Sequence, residues 1–126
     1  MAMTPVKDLV AQAKTEITTL SIDDTEASAE SGEALLVDIR DIRELDREGR
    51  IPGAFHAPRG MLEFWIDPTS PYHKPELAGG KRLVLFCASA WRSALSVKAL
   101  QDMGAENIAE MDGGFNGWVA AGKPTA

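Results

Sequence analysis

Apolar residues fall along this chain in two different periods. Leu35, Leu36, Val37, Asp38 and Ile39 form a run that is nearly all apolar, as do Leu83, Val84, Leu85 and Phe86. Both predict strands buried on two faces of a sheet. Ile108 to Met111 predicts a third. Between the last two, Leu95, Ala99 and Met103 recur every four residues ahead of Gly104, which predicts one face of an amphipathic helix. Strand, helix, strand is a βαβ unit. The expected fold is therefore α/β, with a central, mostly parallel β-sheet, right-handed crossovers and helices on both faces.

Shorter signals fill the gaps. Thr4 and Pro5 precede Val6, Leu9, Val10 and Ala13, predicting a capped opening helix. Ile17 to Leu20 is a brief β-prone run, and Asp23 or Asp24 is placed to cap a second short helix ending near Gly32. Asp41 to Glu48 is charged and helix-prone with Gly49 as its stop, and Ile51, Pro52, Gly53 and Ala54 make a turn. Arg59 to Ile66 predicts another helical turn, and Pro68, Pro71 and Pro75 mark a surface connection. The chain reads as an N-terminal helical segment over 1–16 followed by one domain over 17–126. Phe64 and Trp65 are expected to cover the sheet, and Trp118 to lie in the core.

Composition narrows the function classes. The chain has 126 residues, 44% of them hydrophobic, which suits one compact core. A net charge of -6 with both signs mixed gives no electrostatic footprint for nucleic acid or an anionic membrane surface. The first ten residues lack a secretory apolar core, and no stretch approaches the ~20 apolar residues of a membrane span. A single cysteine forms no intramolecular disulfide and supplies no structural zinc site. A cytoplasmic location, with no metal and no cofactor, is the expectation.

That cysteine, Cys87, falls between the end of an apolar strand and the start of a helix, with Ala88, Ser89, Ala90 and Trp91 separating it from Arg92. Ligand sites in open α/β sheets favour this edge, where successive backbone N–H groups converge and attract an anion. The same field lowers a thiol from ~8.5 into the range ~3.5 to 7.5, making a nucleophile near neutral pH. Small residues permit a tight loop, and Arg92 adds a cation with a planar fork. The bland alternative is that Cys87 is a small buried hydrophobe.

The chain resembles the rhodanese homology domain from about Ile17 onward. Val37, Asp38, Ile39 and Arg40 with Glu44 resemble the family's first signature, and Gly49 to Ala54 resembles its Gly-His-Ile-Pro-Gly-Ala turn. Cys87 through Ser93 resembles its active-site loop, and Asp112, Gly113, Gly114, Phe115 and Trp118 resemble its C-terminal signature. The resemblance implies a sulfurtransferase in which Cys87 carries sulfane sulfur as a persulfide, from a donor such as thiosulfate to an acceptor such as cyanide or a protein. It implies that the N–H groups of residues 88 to 92 stabilise the persulfide, that Arg92 anchors the loop or orients the donor, and that Ser93 caps the helix. It further implies that Asp38 and Arg40 form a structural ion pair. His56 is expected to be a hydrogen-bonded framework residue, and Trp91 to line an apolar pocket around the sulfur.

Three positions depart from the family pattern. Arg50 replaces the usual histidine of the turn, Ala90 stands where glycine is common, and Ala88 where arginine is common. Arg59 is a candidate to restore the missing cation at the pocket mouth. Two other functions remain as alternatives: a persulfide relay or binding module without turnover, and a phosphatase or arsenate reductase. The four residues between Cys87 and Arg92 argue against the latter, because the comparable phosphatase loops have five.

Overall fold

The buried strands need partners on both edges, and they find them in a single sheet. The computed structural model describes residues 2–126. Five strands, β1 (Thr19–Leu20), β2 (Ala34–Asp38), β3 (Phe55–His56), β4 (Arg82–Phe86) and β5 (Ile108–Met111), run in the order β1-β5-β4-β2-β3, with every neighbouring pair parallel. Leu36 lies opposite Val84 and Val37 opposite Leu85, so the two most apolar runs of the sequence pair in the middle.

Alternation along these strands sorts side chains into two cores. Val37, Ile39, Leu83, Leu85, Cys87 and Ile108 point to one face, with Leu62, Val97 and Leu100 packed on them. Leu36, Val84, Phe86 and Met111 point to the other, under Phe115 and Trp118. The first face is covered by α4 (Leu62–Ile66) and α5 (Arg92–Asp102), and the second by α2 (Ile22–Glu30) and α6 (Gly114–Ala120). The expected two-sided parallel α/β fold is what forms. The opening helix, α1 (Val6–Glu16), buries Val10 and Ala13 against Ala94 of α5, and Gln101 donates to the Glu16 carbonyl.

Several local expectations need correction. The buried stripe of α5 is Ser93, Ala94, Ser96, Val97 and Leu100, whereas Met103 of the expected Leu95, Ala99, Met103 face is half exposed. Two serines disguise the true stripe; they are tolerated there because each hydroxyl has a partner, Glu110 for Ser93 and the Arg92 carbonyl for Ser96. Ser21, not Asp23 or Asp24, caps α2, its hydroxyl accepting the Asp24 N–H. Pro5 occupies the cap position of α1 without a side-chain bond. Phe64 turns outward and is 53% exposed, so it does not cover the sheet. Trp65 does pack at the core, edge-on to Phe55, and Trp118 is buried with its indole N–H donating to the Pro124 carbonyl.

Candidate active site

Strand β4 ends at Phe86, and the next residue, Cys87, is buried at the carboxyl edge of the sheet. The chain then turns through residues 88–91 into α5. Two carbonyls of this turn are taken from behind: Phe115 N–H donates to Cys87 O at 2.7 Å and Asn116 N–H to Ala88 O at 3.0 Å, both from the first turn of α6. Gly114 permits this approach. It has φ +60°, and a methyl group there would lie 2.6 Å from Cys87 O and 2.7 Å from Ala88 O. With the carbonyls held back, the N–H groups of Ala88, Ala90 and Trp91 have no protein acceptor among the described residues. Successive N–H groups left free in a turn favour an anion.

Ala90 completes the turn in the left-handed region at φ +66°. The backbone thus keeps the conformation that glycine would supply, at a steric cost of about 1 to 2 kcal/mol for the Cβ. Its methyl is buried, which offsets part of that cost.

Around the sulfur, Ser93 dominates. Its N–H donates to Cys87 Sγ at 3.4 Å, and its Oγ lies 3.7 Å from Sγ. Burial pushes the Cys87 thiol up, but the N–H and hydroxyl of Ser93, the N–H of Ser89 and the charge of Arg92 together pull it below the ordinary thiol value. Ser93 does not cap α5 as expected. Trp91 holds the cap position without a side-chain bond, and the Ser93 hydroxyl instead donates to Glu110 at 2.7 Å.

Arg92 is not a free cation. Its guanidinium makes a two-pronged pair with Glu44 of α3 (Ile42–Glu48), at 3.0 and 3.2 Å. Burial lowers the Arg92 pKa, and the Glu44 carboxylate, joined by Cys87, more than reverses this. Arg59 is exposed, and among the described residues its side chain makes no ion pair. Trp91 is 48% exposed beside the loop. Among the described residues no group of three or more His, Cys, Asp or Glu side chains is placed to hold a metal ion.

Asp38 and Arg40 lie at the end of β2, next to β4. Both are buried, joined at 2.7 Å between Oδ2 and Nη2 and at 3.0 Å between Oδ1 and Nε. Arg40 also donates to Gly49 O and stacks 4.0 Å above the Phe115 ring, so this pair ties β2 to the end of α3 and to α6. His56 is a framework residue, its Nε2 2.7 Å from Arg40 O.

Sequence reasoning missed three participants. Glu110, fully buried on β5, was readable as a lone acid in an apolar run. Glu44 stood in a motif without an assigned partner. Lys14 of α1, whose Nζ is 2.9 Å from Glu110, carried no local signal at all. A groove of about 600 Å³ beside Leu77, Leu83 and Met103 opens at the opposite end of β4 from Cys87.

The chain matches the rhodanese-like domain family over residues 21–121. It is similar at 45% identity and a TM-score of 0.93 to a Rhodopseudomonas palustris protein of unknown function described as a possible tyrosine phosphatase, covering 100% of this chain and 97% of that one. It is 31% identical, with a TM-score of 0.71, to the polysulfide-sulfur transferase homodimer of Wolinella succinogenes, over 95% of this chain and 85% of that one. A human single-domain sulfurtransferase is 25% identical with a TM-score of 0.67, over 81% and 95% of the two chains. An uncharacterized Synechocystis protein shares 35% identity over 91 residues, 72% of this chain and 46% of that protein, so the chain spans about half the length of this curated relative. With the four-residue turn from Cys87 to Arg92 built on a five-stranded parallel sheet, the chain belongs to the rhodanese-like domain family.

Proposed function

We propose that this domain is a sulfurtransferase that carries sulfane sulfur on Cys87. The observation that carries the reading is a thiol held low by Ser93, Ser89 and Arg92 beside a turn in which the N–H groups of Ala88, Ala90 and Trp91 have no protein acceptor among the described residues. The likeness to two sulfurtransferases supports it.

The Cys87 thiolate attacks the outer sulfur of a donor such as thiosulfate. A new S–S bond forms, the donor's S–S bond breaks, and sulfite leaves with the bonding electron pair. The resulting persulfide anion lies among the N–H groups of residues 88 to 92, which stabilise its charge without a metal. A thiophilic acceptor such as cyanide then takes the terminal sulfur and leaves as thiocyanate, returning the Cys87 thiolate. Ala88 contributes no cation and Arg92 is engaged by Glu44, so the site is better suited to a donor whose reacting group carries little charge, such as a protein persulfide, than to a dianion such as thiosulfate. This favours, as a second reading, a relay between proteins with slow thiosulfate turnover.

Intact-mass measurement after exposure to thiosulfate or polysulfide tests the proposal. One added sulfur, removed by cyanide and absent from Cys87→Ser, is the expected result. No added sulfur from either donor overturns it. Phosphate release from an aryl phosphate, dependent on Cys87, would instead support the phosphatase reading that the description of the Rhodopseudomonas palustris relative raises.

A further inference from the structure

Glu110 is a fully buried carboxylate with no part in the transfer just described. It lies on β5 opposite Leu85, on the sheet face that also carries Cys87. Its Oε1 accepts the Ser93 hydroxyl at 2.7 Å, and its Oε2 accepts Lys14 Nζ and Thr19 Oγ1, each at 2.9 Å. Ser93 Oγ is in turn 3.7 Å from Cys87 Sγ. An unbroken line therefore runs from the opening helix to the sulfur.

Ser93 has one hydroxyl proton and two neighbours able to accept it, the Glu110 carboxylate and the Cys87 thiolate. The hydroxyl is therefore shared: while its proton goes to Glu110, the thiolate is left with the N–H groups of Ser93 and Ser89 and the charge of Arg92. We propose that Glu110 acts as a positioning residue that withholds the Ser93 hydroxyl proton from Cys87, and that Lys14 weakens this hold by engaging the other oxygen of Glu110. The inference rests on Cys87 being the nucleophile of the proposed reaction. It makes α1, which lies outside residues 21–121, part of the apparatus that sets thiol reactivity.

The direction of each effect follows from charge. Removing the Glu110 charge leaves a weaker acceptor for the Ser93 hydroxyl, which donates more readily to sulfur, and removes a like charge, so the thiolate is favoured. Removing Lys14 leaves the carboxylate with a stronger claim on Ser93 and a net negative field, so the thiolate is disfavoured. Among the other charges on the elements around Cys87 are Arg92 of α5, which pairs with Glu44 of α3, the Asp38–Arg40 pair at the end of β2, and Lys98 and Asp102 farther along α5. All are left in place.

The experiment is the pH dependence of Cys87 alkylation by iodoacetamide in the full chain, for the native protein, Glu110→Gln, Lys14→Met and Ser93→Ala, alone and combined with Glu110→Gln. Glu110→Gln is expected to move the ionisation midpoint to lower pH and Lys14→Met to higher pH. Below the midpoint this changes the alkylation rate by roughly threefold to tenfold, the worth of one hydrogen bond. In the Ser93→Ala background, Glu110→Gln should have a clearly smaller effect. Shifts in the same direction for Glu110→Gln and Lys14→Met, or an unchanged midpoint in both, overturn the proposal. If Glu110→Gln does not fold, Lys14→Met decides, because its side chain is 35% exposed and a midpoint that fails to rise refutes the coupling. No sulfur donor is involved, so failure of the sulfurtransferase reading leaves this result intact.

Discussion

Replacing Gly114 by alanine should unseat the loop that holds Cys87. Two effects add. The residue has φ +60°, where a Cβ costs about 1 to 2 kcal/mol. The new methyl would also meet two backbone oxygens, Cys87 O at 2.6 Å and Ala88 O at 2.7 Å, and backbone cannot swing aside as a flexible side chain can. Relief requires α6 and the loop to part, which breaks the bonds from Phe115 N–H and Asn116 N–H, each worth about 0.5 to 1.5 kcal/mol net. The expected loss is about 2 to 5 kcal/mol, a large share of the 5 to 15 kcal/mol typical of a domain. Gly32→Ala is the internal control: φ is +81° and no atom lies within 4 Å, so it carries the backbone cost without the collision. Urea unfolding monitored by tryptophan fluorescence gives both values. Gly114→Ala should unfold at distinctly lower urea than Gly32→Ala and should alone slow the alkylation of Cys87. Equal urea midpoints for the two variants would refute the reasoning.

Asp38→Ala leaves the Arg40 guanidinium buried without its partner and should cost about 3 to 5 kcal/mol by the same urea assay, with Asp38→Leu/Arg40→Met recovering much of the loss. Because the Cys87 thiol is held below its ordinary value, its thiolate fraction rises and levels off at lower pH than that of a free cysteine; a midpoint at or above ~8.5 would contradict this. Glu44→Gln releases Arg92, so the rate of alkylation by iodoacetate relative to uncharged iodoacetamide should rise roughly twofold to fivefold at low salt and return toward the native ratio at high salt.

The strands and the cysteine were legible in the chain because each depends on local pattern. Runs such as Leu83 to Phe86 admit little but a buried strand, and their order prescribes a parallel sheet with Cys87 at its carboxyl edge. What escaped was set by contacts between distant segments. The face of α5 is chosen by what lies beneath it, so Ser93 and Ser96 point inward although a hydropathy pattern assigns them to solvent. Lys14 and Glu110 are 96 residues apart, and nothing near Lys14 marks it as different from any surface lysine. Ala90 illustrates the converse. A Cβ at that position speaks against a left-handed turn, yet the neighbouring bonds from α6 fix the loop and its burial offsets some of the strain.

The outermost strands, β1 and β3, are only two residues long each. A strand from another molecule seeking to extend the sheet would find two residues of open ladder on either side before the backbone turns away, too little to hold it in register. The strongly apolar β4 is kept in the interior of the sheet, paired along its whole length with β2 on one side and over Leu83 to Leu85 with β5 on the other. The carboxyl edge of the sheet, where Cys87 lies, is thus left as an end of the strands and not a flank along which copies could pair.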